Sequence, residues 1–286
     1  MAALDHPSDR ADGASGRLSR QLLVIVDPLA MRADGESVRI AKDVLCAGST
    51  AKVCLPDGPA EFAKALAKRG ARRPVVVGDD RALLRAVSLL HRDRELADAV
   101  FSMVPVGSAV SLAHSLGVPA GTVEAARSAL DGSPRRLDLL VDDSDGVVLG
   151  GLRIPPIADP SAAEPQDGRP WWRTCGSLVR NLAARSPRGA ESDETQAARL
   201  RIEADGTTLV DLDQPVRGVS VTPCGGDGIA RVEVRRATGA AISVRAHTVT
   251  VTGADFRYRA DQVRIGGPVR RRTWSVRAGA WALVLP

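Results

Sequence analysis

Along the first half of the chain the apolar positions follow two alternating rhythms. Residues 21–28, QLLVIVDP, form an unbroken apolar run closed by Asp-Pro, as in a strand buried on both faces of a parallel sheet. The next segment, ESVRIAKDVLCAG, instead places Val38, Ala41, Val44 and Leu45 on one helical face and stops at Gly48. The same exchange recurs. AKVCLP (51–56) reads as a short strand, and GPAEFAKALAKRGA (58–71) as a helix opened by Pro59 and Glu61 and closed by Gly70. RPVVVGDD (73–80) is a second buried strand, followed by the helix RALLRAVSLLHRD with Leu83, Leu84, Val87 and Leu90 in register. FSMVPVG (101–107) is a strand, SAVSLAHSLGVP (108–119) a short helix, and GTVEAARSALDG (121–132) a helix capped by Thr122 and stopped by Gly132. Strand and helix alternating in this way predict a doubly wound parallel α/β domain over residues 21–134.

Beyond Pro134 the helical period nearly vanishes. RRLDLLVDD, GVVLGGLRI, RLRIEADG, TTLVDLD, GVSVTP, IARVEVRRA, AISVRA, HTVTVTG and FRYRAD are short alternating runs separated by Gly, Asp or Pro. They predict an antiparallel, β-sandwich-like domain over residues 135–286. Residues 155–197, rich in Pro, Ser and acids, read as a mobile loop within it. A short helix is expected inside that loop at residues 171–186. Its Trp171–Trp172 pair suits packing over the β domain, covering a cleft, or a membrane interface. Residues 1–20 have no apolar core and read as a disordered tail.

One stretch invites a nucleotide-site reading. CGGDG (224–228) spells a phosphate-loop core, but it lies between two β runs with no helix after it. A phosphate-cradling loop needs a strand before it and normally a helix N-terminus after it. Gly225, Gly226 and Gly228 therefore fit a β-hairpin connection with positive φ angles. Similarly, Asp142, Asp143 and Asp145 in DDSDG read first as a turn.

Composition narrows the setting. The 286 residues are 44% apolar but only 3% aromatic, so Leu, Val and Ala must fill the cores. Arginine outnumbers lysine heavily, the pattern of a GC-rich bacterial genome. The four cysteines (Cys46, Cys54, Cys175 and Cys224) form no CxxC and lie at no metal spacing with histidine, as expected of thiols in a reducing cytosol. Without a signal-peptide core or a membrane-length apolar run, a cytoplasmic protein is expected. The charge of +5 is uneven. From Arg199 onward fourteen arginines face eight carboxylates, densest in PVRRRTW (268–274). A basic lobe of this kind suits peripheral contact with an anionic membrane as well as plain solvation. Interleaved aromatics are too few for a single-stranded nucleic-acid platform, so no nucleic acid is expected.

A Gly-Asp loop running from strand to helix does occur in VVVGDDRALLRAV. With VPVGSAVSLAHSLGVP, the helix GTVEAARSALDG and the run RRLDLL, it resembles the bacterial diacylglycerol kinase family, which includes sphingosine-type lipid kinases and is distantly related to NAD kinases. The order and spacing agree along most of the chain, most closely at LAHSLGVP. The resemblance implies an ATP- and Mg²⁺-dependent transfer of phosphate to a lipid hydroxyl such as that of diacylglycerol. It places nucleotide binding at Gly78, Asp79, Asp80, Arg81, Gly107 and Ser108, the metal near Asp80, and the surviving acid on the acceptor side at Asp261. At several of these positions the chain departs from the family pattern. Asp79, Arg81 and Ala82 stand where the first loop has Gly, Gly and Thr. Val110-Ser111-Leu112 replaces Asn-Asp-Phe, and Gln262-Val263 replaces the Gly-Glu that carries the acceptor-side base. Two functions follow as expectations: a working lipid kinase, or a non-catalytic relative that binds nucleotide, lipid or a protein partner. An NAD kinase-like enzyme is a third.

Overall fold

The computed structural model describes residues 20–155 and 197–286. The tail and the segment carrying Trp171, Trp172 and Cys175 lie outside them. Four parallel strands form the first half of the sheet: β1 (Gln21–Val26), β2 (Thr50–Cys54), β3 (Arg73–Gly78) and β4 (Val100–Pro105), ordered β4-β3-β1-β2. β1 and β3 are apolar on both faces because helices cover both sides. The helices are α1 (Pro28–Ala33), α2 (Gly35–Gly48), α3 (Pro59–Ala67), α4 (Asp80–Arg92), α5 (Ser111–Ser115) and α6 (Thr122–Asp131). α2 buries Val38, Ala41 and Leu45, and α4 buries Leu83, Leu84, Val87 and Leu90, as their spacing requires. At the start of α6 the position differs by one from expectation. Gly121 is the cap, with no side-chain bond, and Thr122 is the first helical residue.

The β-rich half comprises β5 (Ser133–Asp142), β6 (Val147–Val148), β7 (Leu152–Ile154), β8 (Leu200–Ala204), β9 (Thr207–Val210), β10 (Val216–Pro223), β11 (Ala230–Arg236), β12 (Ile242–Ala246), β13 (Thr248–Ala260) and β14 (Arg264–Leu285). HTVTVTG and FRYRAD are one strand, β13, with register shifts between Thr252 and Tyr258. Its inner residues and those of β7, β8, β10 and β11 enclose one apolar cluster with Trp274 at 0% exposure, stacked edge-on against Tyr258. The hairpin reading of CGGDG holds. The Cys224 amide donates to the Ile229 carbonyl at 2.8 Å, and Gly225 and Gly228 have φ of +126° and +72°. Gly226 does not adopt a positive φ.

β14, unforeseen in the sequence, joins the two halves. It pairs antiparallel with β13, then with β5, and finally parallel with β4 at Ala282–Val100 and Leu283–Phe101. Trp281, Leu283 and Leu285 thereby enter the apolar cluster of the parallel layers. The architecture is a mixed sheet with helices on the parallel part and an antiparallel β-rich C-terminal part. No helix among the described residues is long and apolar enough to cross a membrane.

Candidate functional site

The strand order reverses direction between β1 and β3, and ligands of open α/β sheets bind in the crevice beyond the carboxyl ends of strands at such a point. Here the crevice is narrow. A Cβ on Gly78 would lie 2.9 Å from Cβ of Asp27 and 3.0 Å from Cβ of Ala82, so close approach, not φ, demands glycine. Asp27 ends β1, is 2% exposed and caps α1 by accepting from the Leu29 amide. Its other oxygen accepts from Arg85 of α4 at 2.8 Å, while the Arg85 guanidinium also lies over Phe62. This ion pair across the switch point was not anticipated, because Arg85 is one of several polar positions on an amphipathic helix and only the tertiary fold gives it a partner.

The Gly78–Ala82 loop passes directly into α4, and Asp79 is the helix cap. One Asp79 oxygen accepts from the amides of Arg81 (3.0 Å) and Ala82 (3.1 Å), while its carbonyl accepts from Leu83 and shares the Ala82 amide at 3.0 Å. The Asp80 amide donates to the Ala109 carbonyl at 2.8 Å. Every amide of the first turn of α4, the donors that would otherwise face an anion, therefore has a partner within the chain. Arg81 is 57% exposed at the side chain and leans on Asp79 at 3.5 Å.

Asp80 points the other way. At 0% exposure, its two oxygens accept from the amides of Leu112 (2.8 Å) and Ala113 (3.0 Å) at the start of α5. Burial raises its carboxyl above the ordinary value; the two amides oppose that rise and the neighbouring charge of Asp79 adds to it. Successive aspartates thus cap successive helices. Gly107, at φ +115°, lies against Asp79, and Ser108 beside it is exposed. The two loops of the expected nucleotide site are therefore neighbours. Among the described residues no group of three or more His, Cys, Asp or Glu is arranged to hold a metal ion.

The acceptor-side turn meets the same helix. The Ser111 hydroxyl donates to the Gln262 amide oxygen at 3.2 Å. Asp261 is 2% exposed and accepts from the amides of Leu149, Gly150 and Gly151, the shortest being 2.6 Å from Gly150. Burial pushes its carboxyl up to about 6 despite these bonds. Asp261 and Gln262 both have positive φ, +51° and +60°. Val263 packs against the apolar core instead of offering a base. The elements of the expected site therefore converge on α5, with their carboxylates turned onto backbone amides.

Asp142, Asp143 and Asp145 form the expected turn. Asp142 accepts from the amides of Ser144 and Gly146, and Asp143 pairs with Arg272 at 2.6 Å. His91, at the end of α4, bonds Asp145 at 2.9 Å and ties that helix to the turn. His114 is exposed on α5.

No protein-family model and no curated protein sequence matches the chain. Solved structures do. A diacylglycerol kinase from Bacillus anthracis str. Sterne superposes with a TM-score of 0.68 at 14% identity, covering 93% of this chain and 97% of that one. Two further structures from the same organism give TM-scores of 0.69 and 0.70, also at 14% identity. An NAD kinase from Archaeoglobus fulgidus in complex with ATP gives a TM-score of 0.54 at 12% identity, over 92% of this chain and 93% of that one. The chain has the fold of these kinases.

Proposed function

We propose that this protein is a diacylglycerol-kinase-type protein that binds ligand without transferring phosphate. The carrying observation is the first turn of α4, where the Arg81 and Ala82 amides donate to Asp79 and the Asp80 amide donates to Ala109. An anion at this loop would have to displace a carboxylate already seated on the helix N-terminus, and it would arrive beside that carboxylate's charge.

ATP in the Archaeoglobus NAD kinase complex supports nucleotide use in this fold. In this chain the residues at the corresponding loop do not fit a phosphate chain with its Mg²⁺. Asp80, which the resemblance assigns to the metal, is spent on α5, and Asp261 is spent on the 149–151 backbone. Phosphoryl transfer depends on positioned donors and metal-bridged phosphates, and a missing acceptor-side base typically costs about 10²–10⁴-fold in rate. Both departures favour the non-catalytic reading. The ligand is then expected in the β-rich part, as a lipid or an anionic membrane surface met by the exposed arginines of the C-terminal half, in a cytoplasmic protein peripheral to the membrane.

One observation favours a second reading, an active lipid kinase. Arg81 is mostly exposed and held only at 3.5 Å, so its guanidinium is free to swing onto a phosphate. Incubation with labelled ATP, Mg²⁺ and a panel including diacylglycerol separates the two, with a Gly-Gly-Asp-Gly-Thr relative as positive control. The first reading expects no labelled lipid; labelled lipid at about 1 s⁻¹ or faster establishes the second.

A further inference from the structure

Between the end of α5, β5 and the outer face of β10–β12 lies a pocket of about 530 Å³, within the range of small-molecule sites. None of residues 78–82, 107 or 108 lines it. Arg135, Arg231 and Arg245 do. Arg231 and Arg245 are direct cross-strand partners in the β11–β12 ladder, an arrangement of like charges that destabilises a sheet unless something compensates. None of the three arginines has an ion-pair partner within 4.0 Å among the described residues. Glu233 is on the same face, two residues from Arg231, and receives a 3.4 Å bond from Ser220. Asp138 also lines the pocket, but its two oxygens accept from the amides of Gly228 (3.0 Å) and Gly279 (2.9 Å).

The remaining wall supplies a different chemistry. Leu116, Leu137 and Leu149 are apolar, and Thr222, paired with Arg231 in the β10–β11 ladder, adds a hydroxyl at the basic end. Guanidiniums present planar forks of donors that match phosphate oxygens. We propose that this pocket is a binding site for a phosphate ester carried on an apolar body. The phosphate bridges Arg231 and Arg245, with Arg135 alongside, and relieves their mutual repulsion. The apolar part lies against the leucines. A soluble phosphorylated metabolite and the headgroup region of an anionic phospholipid share this chemistry. The site does not depend on whether the α4 loop is catalytic.

The test is titration calorimetry of the full chain with dihexanoyl phosphatidic acid below its micelle concentration, alongside inorganic phosphate and dihexanoyl phosphatidylcholine. Co-sedimentation with phosphatidylcholine vesicles, with and without phosphatidylglycerol, forms the second arm. Phosphatidic acid is expected to bind at least tenfold more tightly than either soluble comparator. The double variant Arg231→Gln/Arg245→Gln is expected to lose at least tenfold in affinity, while Arg127→Gln, exposed on α6 and outside the pocket, keeps it. The double variant removes a like-charge pair, so its thermal midpoint should equal or exceed the parent's; if it fails to fold, Arg135→Gln alone serves, with a smaller loss. Vesicle binding sensitive to the same arginines identifies a membrane headgroup as the source. Binding of only the soluble ester identifies a metabolite, and both outcomes support the site. No binding of phosphatidic acid, equal affinity for inorganic phosphate, or equal loss in Arg127→Gln would overturn it.

Discussion

Replacing Asp79 should convert a self-capped helix into an open anion site. In Asp79→Ala the Arg81 amide loses its acceptor, and the Ala82 amide keeps only the carbonyl of residue 79 at 3.0 Å. Loss of such a cap costs about 1 kcal/mol. The Arg81 pair adds little, because the guanidinium is mostly exposed and 3.5 Å away, and removal of a negative charge beside buried Asp80 offsets part of the loss. For a chain of this size about 1 kcal/mol corresponds to a fall of roughly 2–4 °C in Tm. Asp79→Gly should cost only a few tenths of a kcal/mol, since glycine is a tolerable cap, yet it removes the same carboxylate from the helix N-terminus. Asp79→Asn keeps an acceptor oxygen there and should leave the loop closed. Thermal unfolding with and without ATP at about five times an attainable dissociation constant should stabilise the glycine variant by about 1 kcal/mol, again roughly 2–4 °C. The parent and the asparagine variant should not move. Equal ATP shifts in all three proteins would refute the reasoning, because nucleotide binding would then be indifferent to the Asp79 carboxylate.

Three other outcomes follow from the same geometry. Asp80→Asn should cost about 1–3 kcal/mol and speed hydrogen exchange at Leu112 and Ala113, because its NH₂ group leaves one of those buried amides without an acceptor. Asp261, with its carboxyl raised to about 6 against an ordinary 3.8, holds its proton more tightly when folded. Its contribution is therefore most favourable below about pH 4 and is lost as pH rises through about 6, by up to about 3 kcal/mol; Asp261→Asn should be less sensitive to pH by denaturant titration between pH 4 and 6.5. Gln262→Gly should stabilise by about 0.5–1 kcal/mol, since a φ of +60° strains a residue with a Cβ; no gain in denaturation midpoint would mean that the Ser111 bond matters more than the strain.

Much of this architecture was legible in the chain because local and tertiary requirements coincide. α4 shows it: its apolar spacing, its preceding aspartate and its position after a buried strand all favour the same helix. CGGDG was readable as a turn for the same reason, since β runs flank it on both sides. β14 was not. Its 22 residues include Gly266-Gly267-Pro268 and the Arg270–Arg272 run, with a left-handed Gly279 and a register shift before Trp281. No clean alternation survives, and its three partner strands impose the extended form. At the candidate site the sequence shows which residues occupy the loops but not where their carboxylates turn. The role of Asp79 is local, an acid two and three residues before the amides it caps. Asp80 reaches amides 32 and 33 residues away, a contact that no local pattern encodes. The facing of Arg231 and Arg245 likewise depends on which strands pair.

The most direct test of the self-capped helix follows the backbone amides themselves. With ¹⁵N-labelled protein, the Arg81 and Ala82 resonances should keep their positions as ATP and Mg²⁺ are added to millimolar levels, and should move once Asp79 is replaced by glycine. Saturable shifts of both resonances in the unmodified protein would contradict the account, since they would place the nucleotide where the Asp79 carboxylate is held to sit.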